Sequence, residues 1–159
     1  MNDTKVAAPA SVRTGHTHPI RRIGVTGIVA TLAAMVATAV AAALARVVGV
    51  DFEVPEGGET IPVTGVAVVT GFFSVVGTGI AAALLRWSAR PAQRFLWTAV
   101  SLTAVSLVPP FLSGANAATT AALVGLHLVA ATVMIPTLTR SLRAIAQRSE
   151  LLTGSTDAE

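Results

Sequence analysis

Residues Ile23–Ala45 read IGVTGIVATLAAMVATAVAAALA, twenty-three positions without a charged side chain. As a helix rising 1.5 Å per residue this stretch is roughly 34 Å long, enough to cross a hydrocarbon core of about 30 Å. The pattern recurs at Val63–Leu85, Phe95–Leu112 and Thr119–Thr139, none of which contains Asp, Glu, Lys or Arg. The expected fold is therefore all-α membrane: a four-transmembrane-helix bundle with spans at about 23–45, 63–85, 95–112 and 119–139.

Composition agrees with that expectation. Hydrophobic residues make up 53% of the 159-residue chain and charged residues 12%, about half the charged share of soluble domains. So little polar surface cannot coat a water-soluble globule. The net charge of +3 sits in short segments between apolar runs, which points to membrane topology and away from nucleic acid. The absence of cysteine excludes disulfides, thiol catalysis and cysteine-ligated metal centres. The abundance of Ala and Val fits a bacterium with a GC-rich genome.

The connecting segments set the orientation. Residues 1–22, with Pro9, Gly15 and Pro19 and no apolar period, are expected to be a disordered cytoplasmic tail ending in Arg21-Arg22. Arg21-Arg22, the apolar run and Ala41-Ala42-Ala43 also have the look of a secretory signal. The run is longer than the usual 7–15-residue signal core, however, and three more spans follow, so the segment is expected to be retained. Residues 46–62 form an acidic loop with a turn at Pro55–Gly58, and the alternation around Phe52 hints at a small hairpin. Residues 140–159 are expected to be a cytoplasmic amphipathic tail, with Leu142, Ile145 and Leu152 among Arg140, Arg143 and Arg148. With both termini inside, ten basic residues lie on the inner side and only Arg46 lies outside. The positive-inside rule then places both termini in the cytoplasm of a multi-pass inner-membrane protein, and residues 46–62 outside.

Helices in lipid associate through close packing and hydrogen bonds, so small residues mark the contacts. Gly27, Thr31, Ala34, Thr38, Ala41 and Ala45 follow steps of four and three along the first span. Thr64, Ala67, Gly71, Ser74, Thr78 and Ala81 do so along the second. A 3.5-residue average keeps a face turned toward its neighbour, so these two stripes are expected to meet. Pro109-Pro110 should end or kink the third span, and Pro136 should bend the fourth.

Candidate chemistry is sparse. Carriers coupled to ions place an ionisable group in the membrane, and here His127 is the sole titratable residue within a span. By depth its polar neighbours would be Ser106 and Thr103 on the third helix, Thr38 on the first and Ser74 on the second. An imidazole there can relay protons, or it can fix helix register through a hydrogen bond. The second role is favoured, because polar pairs across membrane helices commonly serve as packing glue, and the lack of another His or Cys at span depth argues against a haem or metal site. Asp51, Glu53, Glu56 and Glu59 cluster in the acidic loop without the ligand pattern of an EF-hand, so a solvated loop is expected. Gly77-Thr78-Gly79 lacks the strand, third glycine and lysine of a nucleotide loop. No catalytic constellation, metal site or cofactor site is predicted.

Pro55–Ala67 (PEGGETIPVTGVA), Arg94-Phe95-Leu96-Trp97-Thr98, Leu107-Val108-Pro109-Pro110 and His127 together carry a resemblance. The chain resembles an uncharacterised family of actinobacterial four-helix membrane proteins, a domain of unknown function, over roughly residues 20–140. The resemblance implies a four-helix fold and an inner-membrane address, and no activity or site residues. The expected function is that of a non-enzymatic accessory or envelope component. It would act within the lipid bilayer through helix–helix interaction with a membrane-protein partner or as a homo-oligomer. The alternative is a small transporter or channel for a neutral or lipid-like solute, and a third, weaker reading is an intramembrane enzyme. The enzyme suffers because one histidine without a neighbouring acid or nucleophile cannot divide general-acid and general-base roles.

Overall fold

A computed structural model describes residues 17–53 and 60–156, with side chains over 19–53 and 60–151. Within these residues the fold is all-helical: α1 (Thr17–Val47), α2 (Val63–Trp87), α3 (Pro91–Ser106), the short α4 (Val108–Leu112) and α5 (Ala117–Thr156). Four helical stretches are long and apolar enough to cross a membrane, with α3 and α4 counting together as one. Glu53 and Thr60 form a single antiparallel bridge, the remnant of the expected hairpin. Residues 1–16, which include most of the expected N-terminal tail, lie outside the described residues. So do Glu56, Glu59 and residues 157–159.

Consecutive long helices run antiparallel, so one end of the bundle holds the arginine-rich segments (the basic end) and the other holds the 48–61 loop (the cap end). α1 packs against α2 and α5, and α3 packs against the same two, while α1 and α3 do not touch. The α1–α2 seam is the most extensive, and it is built from the two small-residue stripes. Gly27, Thr31, Ala34 and Thr38 are buried from α1, and Gly71, Ser74 and Ala81 from α2. A methyl group on Gly27 would run into the Thr78 side chain, and one on Gly71 would lie 2.9 Å from Met35 Sδ. Thr38 Oγ1 donates to Ala34 O at 2.8 Å and lies 3.2 Å from Thr70 Oγ1 across the seam.

Two apolar clusters fill the interior. At the basic end Ile23, Ala34, Ala81, Phe95, Leu138 and Leu142 come together; at the cap end Phe52 joins Ala42 and Leu126. The outer surface is apolar too. Val36, Phe72, Phe73 and Trp97 are each more than 60% exposed, and at most 28% of any spanning stretch is buried. In water so large an apolar surface would drive association, whereas hydrocarbon accepts it. Near the basic end α1 and α2 part slightly and leave an apolar groove.

The helix boundaries depart from the sequence reading in three places. α1 starts at Thr17, so residues 17–22, expected in the tail, are helical. α5 runs forty residues without a break, through Pro136 and on to Thr156. Residues 140–156 are thus no separate surface helix. Leu142 is fully buried and Ile145 nearly so, and both pack on Ile23, Phe95 and Leu138. The face that begins at Met134 and Leu138 simply continues past Arg140. In the third crossing the break falls at Leu107, two residues ahead of Pro109. Leu107 N–H reaches Thr103 O at 3.1 Å and closes α3, and α4 resumes with proline in its first turn.

Candidate functional site

His127 projects from the first third of α5 and is half-buried. Its Nδ1 lies 2.8 Å from Leu123 O, one turn back on the same helix, an arrangement in which Nδ1–H donates. Of the polar residues expected beside it, Thr103 and Ser106 bond within their own helix. Thr103 Oγ1 donates to Ala99 O at 2.9 Å, and Ser106 Oγ donates to Thr103 O at 2.8 Å. Ser74 is buried in the α1–α2 seam, and its carbonyl accepts from Thr78 Oγ1 at 2.9 Å. No hydrogen bond among the described residues joins His127, Thr103, Ser106 and Ser74 into a relay. Polar side chains bonded back to the preceding turn cost a membrane helix little, because every donor is met locally. His127→Leu should accordingly change bundle stability by no more than about 1 kcal/mol, the order found for single polar contacts in membrane proteins. Unfolding in mixed detergent micelles measures it, and loss of the folded species would show that His127 holds more than its own turn.

The structured polar site lies at the cap end, where the sequence leads one to expect a solvated acidic loop with a small hairpin. α1 stops by a glycine turn: Gly49 adopts φ +93°, its N–H bonds Arg46 O at 3.0 Å, and Val50 N–H bonds Ala45 O at 3.0 Å. This is the Schellman arrangement, which glycine permits because a left-handed residue carries no Cβ penalty there. It turns the chain back over the helix ends. Phe52, at φ +56°, then drives its ring into the cap-end cluster with 1% of its surface exposed. A bulky residue in left-handed backbone is costly, and burial of the ring offsets that cost. The Arg46 guanidinium sits 5.9 Å from the ring centroid, and its Nη2 donates to Ile61 O at 2.6 Å. Ile61 N–H in turn bonds Phe52 O at 3.2 Å. One arginine therefore clips the end of α1 to the start of α2.

Asp51 fastens the same loop to α5. Its Oδ1 accepts from Glu53 N–H at 3.4 Å and from Thr119 Oγ1 at 3.3 Å. Thr119 is fully buried, and its N–H is capped by Asn116 Oδ1 at 2.8 Å. The Glu53 N–H, with Thr119 and Asn116 assisting, holds the Asp51 carboxyl below its ordinary value against a smaller opposing effect of desolvation. A depressed carboxylate contributes stability that is fully present above its unfolded-state pKa and is lost as the pH falls through the folded one. Cap stability should thus hold down to about pH 4 and decline below it. Asp51→Asn should flatten that decline, and hydrogen exchange at residues 50–53 reads it out.

Asp51 and Glu53 are the described members of the expected acidic cluster, and they meet through the Glu53 backbone N–H. No cluster of three His, Cys, Asp or Glu stands together among the described residues. Arg46, Phe52 and Thr119 escaped the sequence reading. Arg46 was legible as the lone basic residue on the acidic side of the chain; the Phe52 and Thr119 contacts left no local signal. Thr139 Oγ1 is the one buried side-chain polar atom among the described residues without a partner. No characterised protein and no solved structure is significantly similar to the chain. A family described as a family of unknown function (DUF6069) matches residues 18–144.

Proposed function

The chain belongs to this family of unknown function, DUF6069, and from that premise we propose that it is a non-enzymatic integral membrane protein acting through helix–helix interaction. It resides in the plasma membrane of a bacterium, by resemblance an actinobacterium, and serves as an accessory or envelope component. Both termini are cytoplasmic, so the basic end faces inward and the Asp51–Thr119 cap faces outward. The observation that carries the reading is how the polar groups are used. His127, Thr103 and Ser106 bond within their own helices, while large apolar side chains coat the outside. Such a surface offers lipid and neighbouring helices contact without offering a substrate reactive groups. Purification in mild detergent followed by mass spectrometry tests it: a stable membrane-protein partner or a homo-oligomer is the expected result. A strictly lone monomer overturns the interaction role. A reporter joined after Glu159 that reads out on the external side overturns the orientation.

A small transporter or channel for a neutral or lipid-like solute is the second reading, favoured by the apolar groove between α1 and α2. Solute-dependent flux in reconstituted vesicles would promote it over the first.

A further inference from the structure

The α1–α2 groove has a volume of about 470 Å³. Gly24, Ile28 and Thr31 line it from α1, and Val75, Gly79 and Ala82 line it from α2. Its wall is almost wholly apolar. Along α1 it extends from Ile20 to Leu32, roughly 18 Å at 1.5 Å per residue and comparable to one leaflet of a 30 Å hydrocarbon core. The opening has a local cause. A Cβ on Gly24 or on Gly79 would meet no atom within 4 Å, whereas at Gly27 the helices close onto Thr78. Toward the basic end the pair stands open beside the Gly27–Thr78 contact.

Both walls of the groove run out into arginine. Arg21 precedes Gly24 by three residues and Ile28 by seven, so helical spacing puts it on the same face of α1. Arg86 follows Ala82 by four residues and Gly79 by seven, which continues the groove face of α2. Both arginines are exposed, and neither lining helix carries a carboxylate to neutralise them. Because α1 begins where α2 ends, helical spacing places both cations at the same end of the α1–α2 pair, next to the residues that line the groove.

The geometry points to a site for an anionic glycerophospholipid, with one acyl chain lying in the α1–α2 groove and the phosphate held by Arg21 and Arg86. The assignment rests on the membrane-spanning, basic-end-inward reading above. An apolar groove alone accepts any lipid chain; the paired guanidinium groups, whose planar donors match phosphate oxygens, select headgroup charge. The glycines keep the groove open, and the arginines decide what fills it.

Native mass spectrometry of the detergent-purified full chain tests this with phosphatidylglycerol and phosphatidylcholine of identical acyl chains, added in equal amounts. Phosphatidylglycerol adducts should exceed phosphatidylcholine adducts by roughly thirtyfold, as two arginines at about 1 kcal/mol each at a membrane surface imply. The double change Arg21→Gln and Arg86→Gln should bring the ratio close to one. Gly24→Leu with Gly79→Leu fills the groove, starting from positions where a Cβ meets nothing, and should abolish retention while leaving the thermal unfolding midpoint in place. Equal retention of the two lipids by the wild type overturns the assignment, as does full retention by the glycine pair. Release of phosphatidylglycerol by inorganic phosphate alone would reduce the site to an anion clamp and overturns it too. A protein that disperses without detergent defeats the membrane reading itself. One that needs detergent but keeps no phosphatidylglycerol defeats only the lipid site.

Discussion

Gly27→Leu is expected to lower the stability of the bundle by about 3 kcal/mol, the upper part of the usual range for overpacking a filled contact. The reason is local. A Cβ at position 27 already overlaps the Thr78 side chain, whose branched carbon cannot swing aside as the end of a methionine can. α1 and α2 would have to separate along the seam that contributes most of the packing, and in lipid packing is what holds helices together. Gly71→Ala is the informative contrast. There the obstacle is Met35 Sδ at 2.9 Å, the flexible end of a long side chain, so the cost should stay within about 1 kcal/mol. A double-mutant cycle isolates the contact: Thr78→Ala in the Gly27→Ala background should restore part of the loss. Detergent-titrated unfolding gives all four values, and strict additivity between positions 27 and 78 would contradict the seam.

Leu142→Ala is the second change with a large expected effect, a loss of about 2–5 kcal/mol. Leu142 has no exposed surface and packs in the basic-end cluster with Ile23, Phe95 and Leu138. Truncation leaves a cavity that helices already packed against their neighbours cannot collapse. Leu151, nine residues further along the same helix, is 76% exposed, and Leu151→Ala should fall within about 0.5 kcal/mol of wild type. If residues 140–152 instead lay flat on the membrane surface, both changes would act on lipid affinity alone and leave bundle unfolding untouched. The pair of measurements therefore separates a built-in core helix from a peripheral one.

The four apolar stretches were plain in the sequence because charge and length mark them directly. The α1–α2 seam was plain as well, since Gly27, Thr38, Gly71 and Ser74 keep the spacing that a close helix pair requires. The end of α5 was misread for a physical reason. Arg140 and Pro136 are the signals by which a span is judged to stop, yet the packing face Met134, Leu138, Leu142, Ile145 runs straight across them. A proline removes one hydrogen bond, and neighbouring helices can compensate for it. The cap was least legible. Phenylalanine is a poor choice for left-handed backbone, so nothing local announced the conformation of Phe52. The Asp51–Thr119 bond joins residues 68 positions apart, and only the folded bundle brings them together. As for chemistry, His127 stood out by type, and its nearest bond turned out to be its own helix.

The burial of Ile23 and Phe95 against Leu138 and Leu142 has a bearing on how the protein is made. A ribosome adding about 5–20 residues per second finishes α1 and α2 several seconds before the C-terminal half of α5 emerges. During that interval the hairpin can zip along its glycine seam, but two large side chains still wait for their cover. The C-terminal half of α5 is the keystone. Nascent chains halted near Thr139 should therefore be recognised by membrane proteases as incomplete, although every apolar crossing in them has already been translated.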